Sequence, residues 1–217
     1  MLKLNELKRI GYDSISLKGH ILKNDLNFIT EDIVTHIEEM EYDEQFITEF
    51  WIDIYVTNLF NEEKMKAGFI RGSFFTPLDF TRFDINFDDV ADVKGWDFYD
   101  MAGAITGKDR NIKEEIAYES DTIIHIDEFY INEQFRNYGI GSYIINNLEE
   151  ILYYYSGQFP TRIIVLPQPR VFKDGEYQNI SDKDASKELL MEKLISFYKM
   201  NGFDFIENTN YMLKKIV

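Results

Sequence analysis

The sequence predicts an α/β (α+β) protein, in which a central sheet is flanked by helices. Three observations predict this class. β-Prone runs rich in Phe, Ile and Tyr recur along the 217 residues, a run near the middle leads through a glycine-bearing turn into an amphipathic helix, and a short apolar run follows that helix. The last two features form a strand–helix–strand unit, which requires parallel strands joined by a right-handed crossover.

Composition narrows the class of protein. Aromatic residues make up 16% of the chain, which is too many for a disordered protein, and the length suits a single domain over residues 1–217. The absence of cysteine excludes a disulfide framework, a thiolate metal site and a cysteine nucleophile, and no metal site is indicated. The sequence lacks a signal-peptide pattern and any apolar run as long as a membrane span. We therefore expect a cytoplasmic protein with no membrane partner.

The formal net charge of -16 bears on the partners of the protein. Phosphate backbones require clustered Lys and Arg, so we expect no nucleic-acid partner. Excess negative charge would attract a cationic acceptor, such as a polyamine, an amino sugar or a lysine side chain. Solubility alone is the other explanation of the acidity.

The first part of the chain alternates helix and strand signals. A helix is predicted over residues 1–12, a strand over residues 14–22, and a second helix from Thr30, which is a suitable N-cap. Two β-prone runs follow, over residues 46–60 and 65–76. The polar turn between these two runs predicts a hairpin.

Residues 78–120 are predicted to form an inserted helical segment with an aromatic face. Trp96, Phe98 and Tyr99 supply aromatic side chains, and the segment is also rich in aspartate. It would cover the core or form one wall of a binding pocket, and a homodimer contact is the main alternative. Its carboxylates would suit a cationic substrate, although a solvated face explains most of them.

The C-terminal part continues the alternation. Residues 161–166 form a short apolar run between prolines, which is typical of a strand buried on both faces. Residues 168–183 are predicted to be a polar loop, and a helix follows from a capping-box-like start at Ser181 to a stop at Gly202. Residues 203–217 are predicted to end the chain as a hairpin.

The central feature is a strand that leads through a turn into a helix. Residues 122–131 are β-branched and aromatic, and residues 134–141 carry Arg136, Gly139 and Gly141. Unpaired backbone N–H groups and the helix dipole favour an anion at such a turn, most often phosphate. The two glycines lack the Cβ atoms that would keep a ligand from the backbone. An ordinary tight turn with a surface arginine is the alternative.

The residues around this turn resemble a known motif. The stretch FYINEQFRNYGIGS at 129–142 closely resembles the acyl-CoA-binding motif of the GNAT superfamily of N-acetyltransferases, in which a strand, R-x-x-G-x-G and a helix follow one another. The stretch ISFYKMNGF at 195–203 is similar to the second signature of the family. The resemblance spans roughly residues 46–217 and is strong after residue 121. It implies the GNAT fold, with a mixed, mostly antiparallel sheet flanked by helices.

The resemblance also implies an activity and a donor. Acetyl-CoA would be the acyl donor, and the acetyl group would pass to a primary amine on a small molecule or peptide by direct attack, with no covalent enzyme intermediate. The main chain at Phe129 and Ile131 would pair with the pantetheine arm. The residues implied to bind the donor are Phe129, Tyr130, Ile131, Arg136, Asn137, Tyr138, Gly139, Ile140, Gly141 and Ser142.

A protonated amine needs a base, and the central strand offers two candidates. His125 and Asp127 should share a face with Phe129 and Ile131, because side chains alternate along a strand. In several families of this fold, bases or water relays occupy the corresponding points, so either residue could take the proton. Glu128 should face the opposite side of the sheet.

The resemblance implies a proton donor for the departing CoA thiolate. Tyr198 occupies the tyrosine position of F-Y-x-x-x-G-F, and a phenol with an ordinary pKa of about 10 stays protonated at neutral pH. A packed helix tyrosine is the alternative. The sequence departs from the family pattern at Gln168, where many members have Asn just beyond the strand, and at Glu133, where many have Pro.

Two other functions remain open from the sequence. One is a non-catalytic acyl-CoA-binding or protein-interaction module on the same fold, which the long aromatic insertion would suit. The other is a Rossmann-type nucleotide-binding enzyme, against which the absence of a G-x-G-x-x-G motif argues. The identity of the acceptor cannot be deduced, because this fold serves many substrates.

Overall fold

The computed structural model describes residues 12–22, 46–58, 60, 62–82, 86–108, 112–118, 121–157, 159–173, 176–180 and 185–216. Of the helix predicted over residues 1–12, only Tyr12 is described, and it begins a strand. The helix predicted from Thr30 and the helix start predicted at Ser181 lie outside these ranges. None of the helices within them combines the length and the apolarity that crossing a membrane would demand.

A seven-stranded sheet forms the centre of the protein, and a separate two-stranded hairpin accompanies it. The order in the sheet is β1-β2-β3-β4-β5-β9-β8, and every neighbouring pair is antiparallel except β4 and β5. The mixed, mostly antiparallel sheet predicted from the sequence is therefore confirmed. The strands are β1 Tyr12–Leu22, β2 Thr48–Asn58, β3 Lys64–Phe75, β4 Ile123–Ile131, β5 Arg162–Val165, β6 Arg170–Lys173, β7 Glu176–Asn179, β8 Asp204–Phe205 and β9 Met212–Lys215.

Helices flank the sheet as predicted. The segment between β3 and β4 is helical, and the long helix after β4 is broken at Asn147 into two shorter ones. The helices are α1 Pro77–Arg82, α2 Phe87–Lys94, α3 Trp96–Ile105, α4 Ile140–Asn146, α5 Leu148–Ser156 and α6 Lys187–Met200, with a 3-10 turn at Glu133–Phe135 before α4.

The inserted helices cover one face of the sheet. Phe75 of β3 contacts Phe80, Phe87 and Phe98 of α1, α2 and α3, with ring centroids 6.1, 5.1 and 5.5 Å apart. Each of these rings is at least 95% buried, and full burial of one Phe contributes about 1.5–3 kcal/mol. The insertion therefore covers the core, which is the first of the roles expected for it. The opposite face packs against α4, α5 and α6.

The loop predicted over residues 168–183 contains a hairpin, which corrects the prediction. β6 and β7 pair in antiparallel register from Arg170 with Asn179 to Lys173 with Glu176. Alternating Val, Phe and Tyr flank an Asp-Gly pair, which is a strong hairpin signal. The surrounding charged residues lowered the apparent apolarity of these short strands.

Candidate active site

β4 is paired on both edges only in its first half. Ile123–Ile126 pairs with Arg162–Val165 of β5 in parallel, and that pairing ends at Ile126. β4 continues along β3 as far as Ile131. Within the described ranges, no strand pairs with the other edge of residues 127–131. The sheet therefore splits between β4 and β5.

The open edge presents backbone hydrogen-bonding groups. The N–H of Asn132 donates to Ala67 O on the β3 side at 2.8 Å. Because successive residues of a strand point their N–H groups to opposite edges, those of Phe129 and Ile131 point away from β3. These are the two residues whose main chain was expected to pair with a pantetheine arm.

A cleft of about 940 Å³ occupies the split. Residues 126–131 form one wall, the end of β5 and residues 168–170 form another, and α6 contributes Leu190, Leu194, Phe197 and Tyr198. The turn before α4 closes one end. Of the ten residues predicted to bind the donor, all except Tyr138 line this cleft, and Tyr138 packs against the core instead.

The turn before α4 requires left-handed backbone conformations. Gly139 has φ 83° and Asn137 has φ 67°, a region that glycine adopts freely and that asparagine tolerates better than most residues. No acceptor in the described part of the chain receives a hydrogen bond from the N–H groups of Gly139, Ile140 or Gly141. These donors line the cleft, so they fit a phosphate.

Gly141 also has a packing role that the sequence analysis did not predict. A Cβ atom on Gly141 would lie 3.3 Å from two ring carbons of Phe197 and 3.7 Å from Phe129 Cε1. The missing side chain thus makes room for packing between α4 and α6. Gly141 also lines the cleft, so the expectation that a ligand approaches its backbone stays a prediction.

Arg136 is held at the rim of the cleft. Its Nε donates to the Ile131 carbonyl oxygen at 2.8 Å, and its guanidinium carbon lies 5.2 Å from the ring centroid of Tyr130. Glu133 Oε1 is 3.7 Å from Nη1. The charge is therefore oriented by the strand end, with the side chain 41% exposed to solvent.

A β-bulge changes which side chains share a face of β4. Arg71 pairs with Glu128 and Gly72 pairs with Ile126, so Asp127 is an extra residue without a partner on β3. Gly72 permits this close approach, because a Cβ there would lie 2.1 Å from the His125 carbonyl oxygen.

The bulge overturns the predicted face assignment. Phe129 and Ile131 pack against the same core as Ile124, whereas His125 lies on the opposite face. Glu128 lies on the His125 side, where we expected the reverse. Simple alternation fails here because one extra residue shifts the pattern by a full position.

His125 and Asp127 are adjacent, but only Asp127 lines the cleft. His125 Nδ1 lies 3.0 Å from Asp127 Oδ1, but among the described residues no group meets the full hydrogen-bond geometry with this buried nitrogen. The imidazole is 3% exposed and lies against the rings of Phe98 and Tyr211, at centroid distances of 5.8 and 6.3 Å. The Asp127 carboxylate is 34% exposed.

Tyr198 lies at the wall of the cleft that α6 provides. Its ring packs edge-on against Phe197 and Phe203, with both centroid distances 5.2 Å. Burial raises the pKa of its hydroxyl above the usual value of about 10. The group therefore stays protonated at neutral pH, and its role as a proton donor stays a prediction.

An ion-pair cluster at the split was missed by the sequence reasoning. Glu128 contacts both Arg71, at 2.9 Å, and Arg170 of β6. Burial lowers the pKa of Arg170, and the charges of Asp97 and Asp127 oppose that shift. The only sequence signal was a lone Arg shortly after a buried strand. Gln168, which occupies the position where many family members have Asn, lines the cleft.

Comparison with known proteins adds fold-level likeness. No protein-family model and no curated protein matches the chain. A mutant of KacT aligns with TM-score 0.40 and 12% identity over 92% of this chain and 94% of that one. AtaT complexed with acetyl-methionyl-tRNAfMet aligns with TM-score 0.37 and 12% identity over 92% and 95%. An aminoglycoside 6'-N-acetyltransferase complexed with coenzyme A aligns with TM-score 0.32 and 14% identity over 91% and 97%.

At these identities and TM-scores the likeness concerns the fold and carries no argument about activity. One of the three is an N-acetyltransferase by name, which is the family that the sequence motifs resemble. The tRNA belongs to the AtaT structure. Our expectation that this acidic chain has no nucleic-acid partner stays a prediction.

Proposed function

We propose that this protein is an N-acetyltransferase that transfers the acetyl group of acetyl-CoA to a primary amine. The observation that carries the proposal is the open backbone edge of residues 127–131, which runs into a turn with unpaired N–H groups. Both features line one cleft of about 940 Å³, which is large enough for an extended thioester substrate.

The donor would be held mainly by backbone groups. The N–H groups of Gly139, Ile140 and Gly141 would bind the pyrophosphate, with Arg136 adding charge at the rim. The pantetheine amides would extend the sheet beside Phe129 as an added strand. The Ile131 carbonyl already accepts from Arg136, so its N–H is the group left for the donor.

Proton transfers would involve residues on two walls of the cleft, the one formed by β4 and the one formed by α6. The ammonium form of the amine loses one proton to the pair formed by Asp127 and His125, which returns it to water. Attack on the thioester carbon forms the C–N bond and breaks the C–S bond. The nitrogen then loses its second proton to water, and the thiolate gains one from Tyr198, which is reprotonated from the solvent, so that one proton is released overall.

Calorimetric titration of acetyl-CoA and free CoA tests the donor site. Wild type should bind both, and Gly139→Val should bind neither, because valine opposes the left-handed backbone of the turn. Gly157→Val is the matched control, since Gly157 has φ 75° at the end of α5 and does not line the cleft. It should bind the donor as wild type does.

Three outcomes decide the proposal. Binding lost only in Gly139→Val, with thiol release in the presence of an amine, supports the enzyme. Binding without turnover for a broad amine panel would instead favour the non-catalytic acyl-CoA-binding module. Absence of binding by the wild type, or equal losses in the two glycine variants, would contradict the site.

A further inference from the structure

Arg136 lies at the end of a row of stacked rings that begins outside the cleft. Trp51 of β2 stacks on Phe69 of β3 with ring centroids 5.3 Å apart, and Phe69 stacks on Tyr130 of β4 at 6.2 Å. The Arg136 guanidinium lies over the ring of Tyr130, 5.2 Å from its centroid. A continuous row of contacts therefore joins three neighbouring strands to the arginine at the rim of the cleft.

Strand pairing holds the stacked rings in place. Phe69 and Tyr130 are direct partners in the antiparallel pairing of β3 and β4. Phe69 also pairs with Asp53 of β2, so Trp51 is its diagonal neighbour, within reach of a large side chain. Phe69 is 4% exposed. The ring of Tyr130 thus packs against a side chain that the sheet keeps in position.

Arg136 is attached at two points and keeps donors for a ligand. Its Nε donates to the Ile131 carbonyl oxygen at 2.8 Å, and the ring of Tyr130 lies against its planar group. Among the described residues, its Nη atoms have no hydrogen-bond acceptor, because Glu133 Oε1, at 3.7 Å from Nη1, is beyond hydrogen-bond distance. The N–H groups on both Nη atoms are therefore left for an anion in the cleft that Arg136 lines.

The contact with Tyr130 changes what donor binding costs. A long side chain at the surface loses conformational entropy when a ligand fixes it, and that of Arg136 is 41% exposed. An aromatic face attracts a guanidinium and sets the orientation of its plane. Because Tyr130 and the Ile131 carbonyl restrict the guanidinium before the donor binds, less entropy is lost on binding.

We infer that Tyr130 is a positioning residue of the donor site, whose ring holds the Arg136 guanidinium where it binds a phosphate group of the donor. The ring acts through the arginine. The alternative is direct contact of Tyr130 with the donor, since Tyr130 also lines the cleft. This inference rests on the proposed function and deepens it by naming a residue that sets the affinity for the donor.

A double-mutant cycle, measured by calorimetric titration of CoA, tests the inference. Tyr130→Val removes the ring with a residue that suits a strand, and Arg136→Leu removes the charge. Each change should raise the Kd for CoA about tenfold, and the double variant should bind no more weakly than Arg136→Leu alone. Additive losses, about a hundredfold in the double variant, would overturn the inference, because Tyr130 would then contact the donor itself.

Two further variants separate the ring from general effects on the sheet. Tyr130→Phe keeps the ring and should bind CoA with a Kd within about twofold of wild type. Tyr55→Val is the matched control, because Tyr55 is a half-buried tyrosine of β2 that contacts Asp53 and does not line the cleft. It should bind as wild type does. An equal loss of affinity in Tyr55→Val and Tyr130→Val would overturn the inference.

The salt dependence of the Kd gives a readout that a loss of packing alone would not change. Salt screens the attraction between Arg136 and a phosphate. The Kd of wild type should therefore rise more steeply with sodium chloride than that of Arg136→Leu, and Tyr130→Val should share the shallower slope. A wild-type slope in Tyr130→Val would overturn the inference, because the arginine would still reach the phosphate without the ring.

The outcomes separate this inference from the proposed function. Absence of CoA binding by wild type would overturn both. Binding that is lost in Gly139→Val and unchanged in Tyr130→Val would overturn the inference and leave the donor site in place. If Tyr130→Val does not fold, Arg136→Lys decides, because lysine keeps the charge and lacks the planar face. It should raise the Kd about fivefold, and a wild-type Kd would overturn the inference.

Discussion

The two halves of β4 differ in strand pairing and in the exposure of their side chains. Ile123–Ile126 has neighbouring strands on both edges, and its side chains are at most 3% exposed. Residues 127–131 have one edge with which no described strand pairs, and their side chains are partly or fully exposed. The change occurs at one bulged residue, Asp127. The comparison shows that the candidate site lies where the pairing of β4 with β5 stops. The paired half of β4 stabilises the sheet next to the site.

The paired half should carry the largest stability effect. Ile124 is completely buried, so Ile124→Ala should reduce the free energy of unfolding by about 2–5 kcal/mol. Phe129→Ala, in the half-exposed part of the strand, should reduce it by less, despite the larger side chain. Urea unfolding of both variants checks this. A larger loss for Phe129→Ala would contradict the contrast between the halves.

The open half of β4 and the α6 wall that faces it should contain the residues that take part in the reaction. Tyr198→Phe should reduce kcat by about a hundredfold, because the thiolate then leaves without a proton donor. Binding of acetyl-CoA should be unchanged, since the hydroxyl is not part of the donor site. Tyr153→Phe, an exposed residue of α5, serves as the control. Equal kcat in wild type and Tyr198→Phe would remove Tyr198 from the mechanism.

Alkaline pH should act on stability through buried tyrosines. Burial raises the pKa values of Tyr198 and Tyr211 in the folded state, whereas in the unfolded chain they lie near the usual value of about 10. The contribution of these two tyrosines to stability should therefore be constant below about pH 10 and fall as the pH rises beyond it, by up to about 1.4 kcal/mol per pH unit for each tyrosine. Urea unfolding against pH should show a shallower fall in Tyr198→Phe. An unchanged slope would argue against burial as the cause.

Gly141→Ala should have the smallest effect. The added methyl group meets the Phe197 ring, which can move by a few tenths of an ångström, and alanine favours the helix. The free energy of unfolding should change by about 1 kcal/mol or less, and the Kd for acetyl-CoA by less than about threefold. Calorimetry on this variant tests whether the donor site tolerates a methyl group at Gly141. Loss of binding would contradict the small effect expected.

Local patterns predicted much of the fold. The hairpin of β2 and β3, the parallel pair of β4 and β5, and the helical insertion each followed from residue type and spacing within one segment. The glycine turn was also found, because R-x-x-G-x-G is contiguous in the chain. These features depend on short-range backbone preferences, which a sequence displays directly.

The features that the sequence analysis missed depend on contacts between segments that are distant in the chain. The bulge at Asp127 lies in the pairing of β4 with β3, opposite Arg71 and Gly72, and no periodicity within β4 signals it. Glu128 and Arg170 are in contact although they lie 42 positions apart in the chain, and Arg170 belongs to a hairpin that was predicted to be a loop. Sequence alternation alone therefore placed His125 and Glu128 on the wrong faces relative to Phe129.

Amide hydrogen exchange, measured residue by residue with and without acetyl-CoA, tests the central claim most directly. The N–H groups of Phe129 and Ile131 should exchange quickly in the free protein and become protected when the donor extends the sheet. Those of Ile124 and Ile126, already within paired strands, should be slow in both states. Donor binding that leaves Phe129 and Ile131 unprotected would contradict the account.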